Sequence, residues 1–300
     1  MPLRYAILDV FTDRPLAGNP LAVVLDADGL GDQQMQAIAG EFNLSETVFL
    51  EKTDNPVHAG RARIFTPRHE LPFAGHPTVG TAVLLGIERM AGAAGSELML
   101  MLEEKVGLVR CGVTVKSARA GHAVFDVPSL PKMVQAPLPA DRIASALGLT
   151  ASELGLENHV VTAFSAGVPF AFVPVRDMKA IARARPVMSA WGSAFGDLLG
   201  AFLYCREATT NTRQFHARMF APGAGIVEDP ATGSAVAALA GVIAKFDQPP
   251  GGGHRYIIEQ GFEMGRPSVI GLEIDMDGGE VAAARISGDA VIVGRGTLDV

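Results

Sequence analysis

The sequence predicts an α/β chain of two similar domains, each with strands feeding a loop and then a central buried helix. Three observations carry this. Short strand-like runs recur along all 300 residues. Two long helical segments, at 77–90 and 234–246, are apolar nearly all round, and a helix apolar on every face is buried on every face. The segments containing them, FTPRHELPFAGHPTVGTAVLLG (65–86) and FAPGAGIVEDPATGSAVAALAG (220–241), repeat one another about half a chain apart.

The elements follow in order. RYAILDVF, LAVVLD, TVFLE, RARIFT, ELMLML and VGLVRC read as strands in the first half. Between them DQQMQAIAGEF reads as an amphipathic helix, with Asp32 as N-cap and Met35, Ile38, Ala39 and Phe42 on one face. PTVGTAVLLGIERM is the first apolar helix. HAVFDV, HVVTAF, FAFVPV, AFLYC, RQFHARMF, RYIIEQG, VIGLEI, VAAARI and AVIVG read as the second set of strands. DRIASALGL and DMKAIARA are short Asp-capped helices, and SAVAALAGVIAKF is the second apolar helix. Polarity rises at KSARA (116–120), which reads as a linker closing a domain over 1–117. QPPGGG (248–253) reads as a turn.

Composition narrows the function. The chain is 48% hydrophobic with 19% charged residues, enough to bury sizeable cores. No apolar run reaches the length of a membrane span, and the N-terminus has a strand pattern rather than that of a signal peptide. The formal net charge is -7 with no basic stretch, which argues against nucleic acid and anionic membrane as partners. The two cysteines, Cys111 and Cys205, stand far apart without a CxxC pattern, which fits a reducing cytoplasm. A P-loop, a strand-borne GxGxxG, a GxSxG elbow and a Cys/His cluster are all missing, so neither nucleotide, cofactor nor metal is expected.

The repeat raises a question of charge. Glu228 and Asp229 stand directly before Pro230 and an apolar helix. Helix starts leave backbone N–H groups open beside the positive end of the dipole, and such places bind anions. Thr232, Gly233 and Ser234 would serve a carboxylate from one half; Gly75, Thr78 and Gly80 would do so from the other. In the aligned repeat His76 falls opposite Asp229, so both stand beside the anion site as proton donors and acceptors. The alternative is that Asp229 caps its helix and His76 is a satisfied loop histidine. Glu46, in NLSETVFLE, is a third candidate against an ordinary solvated turn acid. Asn19, in AGNPLAVV, reads as a turn residue or as a substrate contact. The chemistry left to such a set is proton transfer by carboxylate and imidazole.

These blocks, DVFTDRPLAGNPLAVV, NLSETVFL, RIFTPRHELPFAGHPTVGTA, RMFAPGAGIVEDPATGSA and EQGFEMGRPS, resemble the signature segments of the phenazine-biosynthesis PhzF-like family, in the family's order and over nearly the whole chain. The resemblance implies an α/β (α+β) fold related to diaminopimelate epimerase. Each domain is then a curled mixed sheet around its central helix, with the active site in the interdomain cleft. The last strand is implied to return, adding about 287–300 to the first domain and leaving 118–286 as the second. A cofactor-free homodimer is implied too. The family's named member isomerises a dihydro-hydroxyanthranilate by moving a proton within the ring. Its catalytic glutamate matches Glu46, its assisting histidine and aspartate match His76 and Asp229, and its substrate contacts match Gly75, Gly233 and Ser234. The related epimerases carry two cysteines in the paired loops, where this chain has His76 and Asp229. The expected function is therefore a cofactor-independent isomerase acting on a small, cyclic amino-acid-like carboxylate. The competing readings are an epimerase or racemase of the related class and a non-catalytic small-molecule-binding protein of the same fold.

Overall fold

The computed structural model describes residues 2–135 and 138–300. Contacts divide the chain into two compact units, Met1–Pro128 with Ser287–Val300, and Ser129–Ile286. The first unit contains β1 (Leu3–Val10), β2 (Asn19–Val24), α1 (Asp32–Phe42), β3 (Glu46–Glu51), β4 (Gly60–Phe65), β5 (Glu70–Leu71), α2 (Gly75–Arg89), β6 (Glu97–Glu104), β7 (Gly107–Val115) and β8 (Ala120–Asp126). β2 runs antiparallel to β1 and parallel to β3, β4 runs antiparallel to β3 and parallel to β6, and β6, β7 and β8 form an antiparallel meander. The chain's last strand pairs with β1, from Leu3↔Leu298 to Val10↔Ala290, and with β8 on its other side. The sheet thus closes around α2, which touches β1, β2, β3, β6, β7 and β8. Every residue of α2 from Gly75 to Ile87 is buried, as an all-apolar helix requires. α1 lays Met35, Ile38 and Ala39 on the sheet's other face, against Leu3, Val24, Phe49 and Phe65.

The second unit contains β9 (Lys132–Gln135), α3 (Ala140–Ala146), β10 (Thr162–Ser165), β11 (Pro169–Pro174), α4 (Met178–Arg183), α5 (Met188–Phe195), β12 (Gly200–Cys205), β13 (Phe215–Ala221), β14 (Ile226–Asp229), α6 (Gly233–Phe246), β15 (Gly252–Gln260) and β16 (Ser268–Asp277). β9, β10 and β11 are antiparallel neighbours, β12 is parallel to β11, β13 is antiparallel to β12, and β15 is parallel to β13 and antiparallel to β16. Strand alternation divides the side chains between two layers. Ala171, Val173, Ala201 and Leu203 face a core with Ile143 of α3, Leu147 at its C-cap, and Trp191 and Phe195 of α5. α6 packs against β9, β10, β11 and β16 and is buried at Gly233 and from Ala235 to Ile243. β17 (Glu280–Leu298) is the long last strand, and its residues from Ser287 onward belong to the first unit.

Three local expectations are corrected and one holds. Asp32 is the first residue of α1, not its cap; Gly31 is the N-cap, and Asp32 instead pairs with Arg63 at 2.9 Å. Pro139, not Asp141, precedes α3. Asp177 does cap α4, accepting from the Ala180 N–H at 2.7 Å. The polar stretch 116–120 is the turn between β7 and β8, tied by Lys116 N–H to Ala120 O at 2.9 Å, and the boundary between the units falls at Pro128 instead. α5 is an additional helix whose short Met-Ser-Ala-Trp pattern carries no cap or clear period. Among the described residues no helix is long and apolar enough to cross a membrane.

Candidate active site

In the first unit four predicted residues stand where β2, β3 and α2 begin. Asn19 opens β2 and Glu46 opens β3, two neighbouring parallel strands with Leu21 beside Glu46 in register. Gly75 and His76 are the first two residues of α2. The turn into β2 depends on Gly18, whose φ is +66° and whose added Cβ would lie 2.3 Å from the Val10 carbonyl oxygen. Asp9 fixes the same turn by accepting from the Leu16 N–H at 2.7 Å.

His76 Nδ1 lies 3.3 Å from Asn19 Nδ2 and 3.5 Å from a carboxylate oxygen of Glu46. The imidazole is almost wholly buried, its side chain 4% exposed against 13% for Glu46. Burial pulls its pKa down to about 3, so the ring is neutral in any ordinary buffer. With the Asn19 amide donating to Nδ1, the ring hydrogen belongs on Nε2. That atom is buried and has no hydrogen-bond partner among the described residues. His76 is thus a helical residue, not a satisfied loop histidine.

The start of α2 is narrower as an anion site than the sequence suggests. The Thr78 N–H already bonds the Ala74 carbonyl at 3.2 Å. Gly80 lies inside the helix, where its missing side chain serves packing: an added Cβ would stand 2.6 Å from Leu21 Cδ2 and 2.8 Å from Val10 Cγ2. The N–H groups of Gly75 and His76 remain for a ligand. Thr78 Oγ1 lies 2.8 Å from Ala74 O and 2.7 Å from Glu104 Oε1. A hydroxyl has one hydrogen and cannot donate to both. A protonated carboxyl resolves this, and burial pushes Glu104 up to about 8. Glu104 was not legible as special, because ELMLMLEE reads as an ordinary strand end.

In the second unit Asp229 ends β14, and Gly233 and Ser234 are the first two residues of α6. Pro230 precedes this helix by three residues, so it does not occupy the first turn. Thr232, not Asp229, is the N-cap. Asp229 is buried and accepts from Thr232 Oγ1 at 2.6 Å. Its neighbour Glu228 has a different task. It pairs with Arg218 through two bonds of 2.7 and 2.8 Å, while Arg218 Nη1 donates to the carbonyls of Ile181, Ala182 and Ala184 at the end of α4. The adjacent acids therefore divide: Glu228 ties strand to helix, and Asp229 faces the helix start.

Gln260, in the strand RYIIEQ, was passed over by sequence reasoning. It is fully buried and bonds both Asp229 and Thr232. An amide at the end of an apolar strand was the available signal. His216 was missed too: Glu259 at 2.6 Å and Glu263 at 2.9 Å hold its imidazole, and its pKa is raised to about 9, so it is charged. This cluster ties β13 to β15.

Among the described residues one group has metal-like spacing: Glu157, His159 and Asp247, with ligand atoms within 4.8 Å of one another. Arg206 Nη2 already stands 2.5 Å from Asp247 Oδ1, and His159 bonds the same oxygen at 2.7 Å, so a guanidinium fills the cation's place. Both cysteines are free and buried in strands, Cys111 in β7 and Cys205 in β12. Burial raises both thiols, Cys205 to about 12, so neither is a ready thiolate base.

Comparison with known proteins identifies the family. A Mesorhizobium japonicum protein named as an uncharacterized isomerase is 49% identical, with 98% of each chain covered. The trans-2,3-dihydro-3-hydroxyanthranilate isomerase of Pseudomonas aeruginosa is 36% identical, again over 98% of each chain. The crystal structure of a Bacillus anthracis phenazine biosynthesis protein of the PhzF family superposes with a TM-score of 0.88 at 25% identity, over 100% of both chains. The family model described as phenazine biosynthesis-like protein matches residues 8–296, and the chain belongs to that family as an α+β isomerase.

Proposed function

We propose that this isomerase acts without a cofactor, moving a proton between two carbons of a small, cyclic amino-acid-like carboxylate by general acid–base catalysis. The observation that carries the reading is the Asn19–His76–Glu46 cluster, in which a carboxylate stands 3.5 Å from a buried neutral imidazole at a helix start. Glu46 takes the proton from carbon and returns it nearby. Either carboxylate oxygen can accept or donate, which suits a shuttle over a short distance. His76 donates from Nε2 to the oxygen or nitrogen on which charge develops. It does so as a neutral donor and does not change charge during turnover. Asp229 orients the substrate's amine or hydroxyl. The open N–H groups at Gly233 and Ser234 hold the substrate carboxylate, as helix starts do.

The dihydro-hydroxyanthranilate of the P. aeruginosa relative fits this class: a ring bearing a carboxylate and an amine. Two-thiol racemisation is opposed by the position and burial of Cys111 and Cys205. The test is proton NMR in D2O with trans-2,3-dihydro-3-hydroxyanthranilate as probe. The expected result is conversion to an isomer carrying solvent deuterium at the receiving carbon. A ligand that raises the melting temperature yet neither converts nor exchanges would make the chain a binding protein, and the reading would be abandoned.

A further inference from the structure

The second unit contains a hydrogen-bond chain whose direction is fixed by its ends. Gln260 Nε2 lies 2.7 Å from the Asp229 carbonyl oxygen and 3.0 Å from Thr232 Oγ1, and Gln260 Oε1 lies 3.1 Å from the Thr232 backbone N. A carbonyl oxygen only accepts and a backbone N–H only donates. The amide therefore has one possible orientation, because flipping it would set oxygen against oxygen and NH2 against N–H. Both hydrogens of Nε2 are then spent, one on the Asp229 carbonyl and one on the Thr232 hydroxyl. Since Thr232 Oγ1 accepts from Gln260, its own hydrogen points to Asp229 Oδ2, 2.6 Å away.

We infer that Gln260 is a positioning residue for the reaction, acting through Thr232 to keep a hydroxyl donor on Oδ2 of Asp229. This rests on the reading of Asp229 as a substrate-handling group. The chain does two things for such a group. It pins one carboxylate oxygen, so the side chain presents a single orientation to a substrate. It also favours the ionised form, because a donor held on a carboxylate stabilises its charge. The arrangement is more than is needed to start α6: Thr232 makes no side-chain cap bond to that helix, its hydroxyl being turned to Asp229 instead. Nearby charges on β13, β14 and β15 are engaged elsewhere, Arg218 with Glu228, and His216 with Glu259 and Glu263.

The test needs no substrate for its main readout. The titration of the Asp229 carboxyl is followed by carbon NMR in the whole protein, with Asp229→Asn assigning the signal. Thr232→Val removes the donor and should raise the Asp229 midpoint by about one pH unit. Gln260→Met leaves the hydroxyl free to turn away and should shift it the same way by less. Thr232→Ser restores the donor and should return the midpoint to the wild-type value. Thermal melts establish that each variant folds, and Gln260→Met stands in should Thr232→Val fail. An unmoved midpoint in a folded Gln260→Met or Thr232→Val protein overturns the inference and leaves Gln260 as a strand-end tie. With trans-2,3-dihydro-3-hydroxyanthranilate, Thr232→Val should lower kcat more than it raises KM. Wild-type protein inert toward this probe, with the midpoint shifts intact, would sink the proposed reaction and leave the chain of bonds standing.

Discussion

At the scale of single residues, the chemistry concentrates in side chains that burial has altered. His76 is neutral because it is buried, and in the proposed reaction it acts as a donor to the substrate rather than as a cation beside Glu46. Glu46→Gln keeps size and hydrogen bonding but cannot carry a proton. The variant should retain the ligand-dependent rise in melting temperature while losing on the order of a hundredfold or more in turnover. Near-wild-type turnover would return Glu46 to the role of a strand-end acid. The candidates Asn19, Glu46, His76 and Asp229 were legible because each stands at a sequence discontinuity, a polar group abutting an apolar run. Gln260 and Glu104 were not, because each looks like the ordinary polar end of a strand until its neighbours from distant sequence are known. Thr78 was misassigned for the same reason: its partner Glu104 lies 26 residues away.

At the scale of elements, apolar periodicity gave α2, α6 and most strands, and capping rules gave less. Asp177 caps α4, but Asp32 and Asp141 are the first and second residues of their helices, where an acid favours the dipole without closing the first turn. The paired Gly-[Thr/Ser]-Ala motifs also proved unequal: α6 begins at Gly233, while Gly80 lies a full turn inside α2. Helix entry depends on the loop before it, and the two loops differ in length. The role of Gly80 can be tested by Gly80→Ala. The new methyl would press on Leu21 and Val10, and overpacking of this kind costs about 1–3 kcal/mol. Urea unfolding should show that loss, and an unchanged midpoint would mean that β1 and β2 yield to the helix.

At the scale of the whole molecule, two buried groups make stability depend on pH in opposite ways. Glu104 keeps its proton in the native state up to about 8, whereas an unfolded glutamate releases it near 4.5. Between those values the native chain binds more protons, so stability falls as pH rises. His76 stays neutral down to about 3, while the unfolded imidazole charges near 6.5, so stability falls as pH drops through that range. Glu104→Gln should remove the first effect alone. Urea midpoints at pH 7 and pH 9, above the range in which His76 acts, should therefore differ less in this variant than in wild type; an equal difference would place the loss elsewhere. The repeat read in the sequence predicts a buried helix in each half, and α2 and α6 lie in different compact units. It could not show where one unit gives way to the other, since polarity peaks at a hairpin turn while the boundary lies at Pro128. That boundary is crossed again by β17, whose residues from Ser287 onward fill the place between β1 and β8. On the ribosome, then, the amino-terminal half cannot finish first. Its opening strand waits, unpaired on one side, until β17 has been translated, and nascent chains stalled before Ser287 would hold an incomplete barrel open to chaperones and to one another.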